Sequence, residues 1–205
     1  MPTPTIVLGT HNRNKGGELQ SLLQAAGIKV ATLADFPGPL VVEETGQTFA
    51  ENARLKATRQ ARHLGEWVLG EDSGLEVDAR DGAPGVYSAR FAGLDASDED
   101  NNRELLVRLG KTPLPQRTAR YVCWAVFADP QGDVQAEASG TCSGRIRQEP
   151  VGTAGFGYDP LFEIVEYHRT FGELGEAVKS CLSHRARAMR QLVPQIVELV
   201  AKAAS

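Results

Sequence analysis

A short β-branched and apolar run, Thr5 to Leu8, predicts a strand, and the period then changes. From Glu18 to Ala26 the residues Leu19, Leu22, Leu23 and Ala26 share one helical face, and Gly27 stops the helix. Thr48 followed three residues later by Glu51 is a capping box, opening a helix that runs to about Leu64. Trp67 to Leu69 and Leu75 to Val77 predict two strand pieces, separated by the polar interruption Glu71-Asp72-Ser73-Gly74. A helix follows from Ser97, with Asp98, Glu99 and Asp100 at its positive end and Leu105, Leu106 and Leu109 inward, ending at Gly110. Tyr121 to Ala128 and Val134 to Ile146 then form a hairpin about Asp129-Pro130-Gln131-Gly132-Asp133. The last helix starts around Ser183, buries Met189, Leu192, Val193, Ile196, Val197 and Val200, and is expected to kink at Pro194.

This order predicts an α/β protein, a long mixed sheet with helices packed on it, and no internal repeat or linker divides it. At 205 residues with 41% apolar, the chain is long enough for a substantial core. No window approaches the roughly 18 apolar residues of a membrane span, and no charged-then-apolar leader opens the chain, so a cytoplasmic protein is expected. Cys123, Cys142 and Cys181 are widely spaced and read as reduced thiols. The net charge of −4 with scattered basic residues argues against a nucleic-acid polymer as partner and for a small, locally bound phosphate ligand.

Five polar clusters interrupt the apolar pattern. Thr10, His11, Asn12, Arg13, Asn14 and Lys15 lead from a strand to a helix and read either as an anion-binding turn or as a plain polar one; they do not match the G-x-x-x-x-G-K-[ST] phosphate loop. Glu43-Glu44-Thr45-Gly46 and Glu71-Asp72 read singly as solvated turns, and together as hard oxygen ligands for magnesium. The glycine-rich stretch from Gly152 to Pro160 carries Phe156 and Tyr158, which would stack on a flat base or plug the core. Lys179, His184 and Arg185 gather where the last helix begins; cations there oppose the helix dipole unless an anion binds, and otherwise mark a solvated helix start.

The motifs T-x-N-x-x-K (Thr10, Asn12, Lys15), E-E-T-G-x-T-F-x-E-N-A-x-x-K-A (Glu43 to Ala57), D-S-G-L (Asp72 to Leu75), G-A-P-G-x-Y-S-A-R (Gly82 to Arg90), G-F-G-Y-D-P-x-F (Gly155 to Phe162) and S-H-R (Ser183 to Arg185) follow one another. In that order they resemble the inosine/xanthosine triphosphate pyrophosphatase family over nearly the whole chain. The resemblance implies one elongated α/β domain over 1–205, its mixed central sheet flanked by helices and shared by two lobes with an active-site cleft between them. It also implies a homodimer and magnesium-dependent cleavage of ITP, dITP and XTP between the α and β phosphates. Carried over, the Thr10 to Lys15 loop and Lys56 would hold phosphates, and Glu43 and Asp72 would bind metal, with Asp72 also activating water. Ser73 would contact substrate. Phe156, Gly157, Tyr158, Asp159, Lys179, His184 and Arg185 would frame the nucleotide. Glu71 stands where many members have Asp, and Glu163 to Val178 is only loosely similar.

Hypoxanthine and xanthine present an acceptor at position 6 and a donor at position 1, the reverse of adenine, so a site built for them leaves its polar groups unpaired against ATP. Two rivals are a pyrophosphatase for other modified nucleotides and a non-catalytic nucleotide sensor. Paired Glu43 and Asp72 speak against the sensor, because a binder of polyanions gains little from carboxylates unless a metal is used.

Overall fold

The computed structural model describes residues 5–203. Seven strands form one mixed sheet in the order β2-β1-β3-β4-β5-β6-β7. The chain folds as two compact units, the first of residues 1–72, 123–140 and 185–205 and the second of 73–122 and 141–184. Strands β3 (Val68–Val77), β4 (Thr118–Ala128) and β5 (Val134–Ile146) each contribute residues to both.

In the first unit, β1 (Ile6–Leu8) pairs in parallel with β2 (Val30–Thr32) and with β3, Val7 lying opposite Ala31 and Val68. Its three residues are all buried, as a strand covered on both faces requires. Helix α1 (Arg13–Gln24) and helix α5 (His184–Ala203) cover one face, where Leu19, Leu23, Met189, Leu192 and Ile196 pack on Ile6, Leu8, Leu69 and Phe127. Helix α2 (Phe49–Leu64) covers the other, with Ala53, Ala57 and Ala61 against Val7, Val68 and Val126. The capping box holds as read: Thr48 Oγ1 accepts from the Glu51 N–H at 3.2 Å, Glu51 Oε2 from the Thr48 N–H at 3.2 Å, and Gly65 closes α2 in the left-handed region.

The second unit is built on Leu75, Val77, Leu105, Tyr121, Ile146, Phe162 and Phe171. It contains α3 (Asp98–Leu109), β6 (Phe162–Ile164), β7 (Arg169–Thr170) and α4 (Phe171–Leu182). Ser97 and Asp100 cap α3 reciprocally, and Thr170 and Glu173 do the same for α4. The hairpin between β4 and β5 closes through the Asp129 N–H on the Asp133 carbonyl at 3.0 Å.

Three readings change. Helix α1 starts at Arg13 rather than Glu18, because Asn12 caps it, and Ala26 lies beyond its end and is exposed. Trp67 lies outside the strand, and Val68 to Val77 is one continuous strand rather than two pieces, since Glu71 and Asp72 find charged partners inside the protein. Val197 is 46% exposed, on the outer side of α5, whose span His184–Ala203 includes Pro194. All three cysteines are free thiols, as expected, and among the described residues no helix is long and apolar enough to cross a membrane.

Contact between α2 and β3 is close because residue 70 has no side chain: a Cβ there would stand 2.5 Å from the Ala57 amide nitrogen and 2.6 Å from the Ala53 carbonyl oxygen. Both obstacles are backbone, so neither can swing away. Gly70→Ala is therefore expected to lower stability by about 1–3 kcal/mol, the range for overpacking, read as a shift in the urea midpoint. An unchanged midpoint would show that α2 can lift from the strand at no cost.

Candidate active site

Strand alternation places consecutive residues of β3 on opposite faces, so Leu69 and Glu71 face the α1 and α5 side while Val68, Gly70 and Asp72 face α2. Glu71 is 0% and Asp72 4% exposed. Burying two neighbouring carboxylates is costly unless each is paired and hydrogen-bonded.

The pairing is supplied on both faces. Arg185, itself 1% exposed, donates from Nη2 to Glu71 Oε1 at 3.0 Å and from Nη1 to Glu18. The Cys123 thiol also donates to Glu71 Oε1, at 3.5 Å. On the other face Lys56 donates to Asp72 Oδ1 at 2.9 Å and to the Glu71 carbonyl at 3.2 Å, and stands 3.0 Å from Glu44 Oε1. Asn52, one helical turn before Lys56, donates to Asp72 Oδ2 at 3.3 Å and accepts the Gly46 N–H at 2.8 Å, so one amide ties the E-E-T-G turn to the catalytic candidate. Lys15 reaches both carboxylates, 3.4 Å from Glu71 Oε2 and 3.8 Å from Asp72 Oδ1.

Even so, the Asp72 carboxyl sits above its ordinary pKa. Burial contributes most, the attraction of Lys15 and Lys56 opposes it, and repulsion from Glu44 and Glu71 adds to it. Burial also pulls Lys56 down, but Asp72, Glu44 and Glu71 outweigh it and hold the ammonium charged. Arg185 is likewise held charged against burial, by Glu71 and Glu18. Burial, then Glu71, pushes the Cys123 thiol well up, so it serves as a donor and not as a nucleophile.

The remaining predicted residues separate into those that join this network and those that face water. Thr10 Oγ1 accepts from the Asn12 N–H at 3.2 Å, and Asn12 Oδ1 from the Lys15 N–H at 3.1 Å, which makes the segment a helix cap rather than a free loop. His11, Asn12, Arg13 and Asn14 are exposed, with His11 Nε2 3.0 Å from the Leu40 carbonyl. Helix α1 has no acidic residue in its first turn, so its own sequence does not neutralise the positive end, as suits an anion site. Glu43 is exposed; Glu44, not Glu43, turns to Lys56. Ser73 is half-buried on β3.

In the second unit the glycine-rich loop resolves its two readings residue by residue. Tyr158 is a core plug: it is 4% exposed, belongs to the apolar cluster, and donates its hydroxyl to the Ser88 carbonyl at 2.8 Å. Phe156 is half-buried, with the Lys179 ammonium 4.2 Å from its ring centre. Asp159, 1% exposed, accepts from Lys179 at 2.5 Å, from the Phe156 N–H at 2.9 Å and from the Tyr121 hydroxyl at 3.4 Å. His184 stacks on Tyr121 with ring centres 4.7 Å apart.

The cationic cluster at the last helix is therefore corrected. Lys179 lies in the last turn of α4, where the dipole favours a cation, and Ser183 ends that helix. Lys179 and Arg185 are engaged by buried carboxylates rather than waiting for an anion at a helix start. Glu18, Asn52 and Tyr121 were not foreseen as parts of these networks. Asn52 had a signal, four residues before Lys56 on one helical face; Glu18 and Tyr121 had none beyond lying beside apolar positions.

A model of the Ham1 family matches residues 6–195. The dITP/XTP pyrophosphatase of Rhodopirellula baltica is 52% identical over 195 residues, 95% of this chain and 94% of that protein. That of Listeria monocytogenes serovar 1/2a is 46% identical over 197 residues, 96% and 97% of the two chains. Among solved structures, a HAM1 protein from Coxiella burnetii matches with a TM-score of 0.86 at 36% identity, over 95% of this chain and 99% of that one. A nucleoside-triphosphatase / dITP/XTP pyrophosphatase from Mycobacterium abscessus matches at 0.75 and 36% identity, over 94% and 99%.

Arg185 is a buried cation that pairs with the buried Glu71 and the partly buried Glu18, so its removal takes a charged partner from each. Arg185→Ala is expected to cost about 3–5 kcal/mol in stability even without nucleotide, measured by urea denaturation. A variant as stable as the wild type would mean that Glu71 and Glu18 take up protons or reach solvent at no cost.

Proposed function

The chain belongs to the Ham1 family, and on that footing we propose that it hydrolyses dITP, ITP and XTP to the monophosphate and pyrophosphate, acting in the cytoplasm as a magnesium-dependent homodimer. The observation that carries the reading is Asp72, a buried carboxylate held between Lys15, Lys56 and Asn52 on a strand that also buries Glu71. Such a cage has little use in a scaffold. It suits a base that must meet a polyphosphate.

Magnesium fits the donor set: carboxylate oxygens of Asp72 and of the Glu43-Glu44 turn are hard ligands, and a bound ion would neutralise the triphosphate and polarise the phosphoryl group whose phosphorus the water attacks. Among the described residues no three His, Cys, Asp or Glu side chains are grouped to hold an ion. Magnesium takes one or two carboxylates and fills its shell with water and substrate phosphate. Homodimer and cytoplasm rest on the family resemblance.

Each residue's task follows from its surroundings. Lys15 and Lys56 meet the phosphate charge, and the uncompensated N-terminus of α1 adds backbone donors. Asp72 takes the proton of the attacking water, as a positioned carboxylate can at neutral pH. Pyrophosphate leaves, so no covalent intermediate with the chain is needed. Phe156 offers its ring to the base, and the polar groups about it select the 6-oxo edge.

With magnesium, ITP, dITP and XTP are expected to exceed ATP and GTP at least about tenfold in kcat/KM, or about 1.4 kcal/mol. Pyrophosphate and orthophosphate are scored separately; orthophosphate as sole product, or equal turnover of ATP and ITP, would sink the assignment.

Asp72→Asn should lower kcat by about 10²–10⁴ while nucleotide still binds. A carboxyl whose pKa is raised by folding contributes stability that is full below its unfolded pKa and lost as pH rises through the folded value. Ionised Asp72 thus works against the metal-free fold at neutral pH, and the amide should melt at the same temperature or higher in chelator. Added magnesium should restore part of the activity lost in Glu43→Gln or Glu44→Gln, but little of that lost in Asp72→Asn. Near wild-type turnover in Asp72→Asn would move the base elsewhere.

A further inference from the structure

Helix α3 carries none of the chemistry assigned above, yet two side chains at its start reach the base-side loop. The Gly157 N–H donates to Asp98 Oδ2 at 2.6 Å, and Asn102 Nδ2 donates to the Gly157 carbonyl at 2.9 Å. Residues four apart on a helix share a face, so one turn of α3 grips one residue of the loop by both its donor and its acceptor. The first bond is charge-assisted and correspondingly short.

The grip falls between the loop's other anchors. Gly157 has φ +61°, and apart from its chain neighbours no atom lies within 4 Å of where a Cβ would stand. A hollow of about 500 Å³ separates part of the loop from α3, lined by Asp98, Asn102, Phe156 and Gly157 among others. A loop over a hollow can sink into it unless hydrogen bonds hold it off. Asn102 Oδ1 is buried with no hydrogen-bond partner, so this amide gives up one bond and keeps the one to Gly157, at a cost that a neutral surface position would not bear. On either side the anchors are strong: Phe156 N–H on Asp159, Asp159 on Lys179, and Tyr158 on Ser88. What these bonds leave accessible is the half-buried ring of Phe156.

We propose that Asp98 and Asn102 are positioning residues that clamp the Gly157 peptide and so fix the Phe156 ring for a 6-oxopurine base. The proposal rests on the function inferred above and says how its base selectivity is held. Acting through the loop, the clamp affects how well the base is seated, whereas the phosphate chemistry at Asp72 does not depend on it.

The test is steady-state kinetics with ITP and ATP on the full-length protein, comparing wild type with Asn102→Ala, Asn102→Asp, Asp98→Ala and Asp98→Asn, with thermal melts in parallel. The alanine variants are expected to raise KM for ITP about tenfold, to leave kcat within about twofold, and to narrow the preference for ITP over ATP. Asp98→Asn keeps an acceptor for the Gly157 N–H and should recover most of the loss. Asn102→Asp keeps the shape and packing but sets an anion against the Gly157 carbonyl, and should not recover. KM for ITP unchanged in the alanine variants, with or without a lower melting temperature, would overturn the clamp while leaving the enzyme reading intact. A wild type that does not hydrolyse ITP would instead overturn the proposed function, and the clamp with it.

Discussion

The structure depends on how two adjacent buried carboxylates are kept charged inside a sheet. Glu71 and Asp72 are consecutive on β3, so the pleat sends them to opposite faces, and each needs partners of its own. Arg185 and Glu18 complete the circuit on one face, Lys56, Asn52 and Glu44 on the other, and Lys15 bridges them. Helices α1, α2 and α5 must therefore all be in place before the strand can bury its acids. That makes the site a condition of the fold and not an addition to it. Breaking a buried pair costs far more than the intact pair contributes, so the network specifies structure more than it stabilises it.

In this network the carboxylates of Glu18, Glu44, Glu71 and Asp72 stand against the cations of Lys15, Lys56 and Arg185. Burial raises the Asp72 pKa first, and repulsion from Glu44 and Glu71 adds to it against the pull of Lys15 and Lys56. In the proposed function a cation bound there would relieve the repulsion among these carboxylates and meet the substrate's phosphates. A buried carboxyl held ionised costs stability, a trade common where function is built into a core.

Sequence reading found the elements whose signals are local. The Thr48 and Ser97 caps, the helix end near Leu64, the Gly110 stop and the Asp129 to Asp133 turn follow from chemistry within a few residues, and all are present. It failed where the stabilising partner is distant. Glu71-Asp72 looked like a break in β3 because their partners include Arg185, 114 positions away. Glu163 hid β6 in the same way, as a fully buried acid whose Arg145 and Arg147 lie on or just beyond the neighbouring strand. Helix α4 had a local signal after all, since Thr170 and Glu173 form the same kind of box as Thr48 and Glu51. Gly175, in a non-helical conformation within it, broke the period that would have revealed the rest.

The site residues divide along the same line. Lys56 and Asp72 were placed together by resemblance, and the geometry supplies the reason, since Gly70 lets α2 approach β3 closely enough for a lysine to reach the strand. The cations at the end of the chain were misjudged because the helix they seemed to begin is two helices, joined at Ser183. Once Ser183 separates them, Lys179 is favoured by the dipole of α4, and Arg185 is fixed by its acids whatever the dipole of α5 contributes. Arg185 spends donors on Glu71 and Glu18, so substituting it disturbs the carboxylates beside Asp72 before it disturbs any ligand. Loss of activity on changing Arg185 is thus not by itself a sign of contact with nucleotide. Only a substitution that keeps Glu71 and Glu18 neutralised can separate a role in recognition from the one in holding the strand.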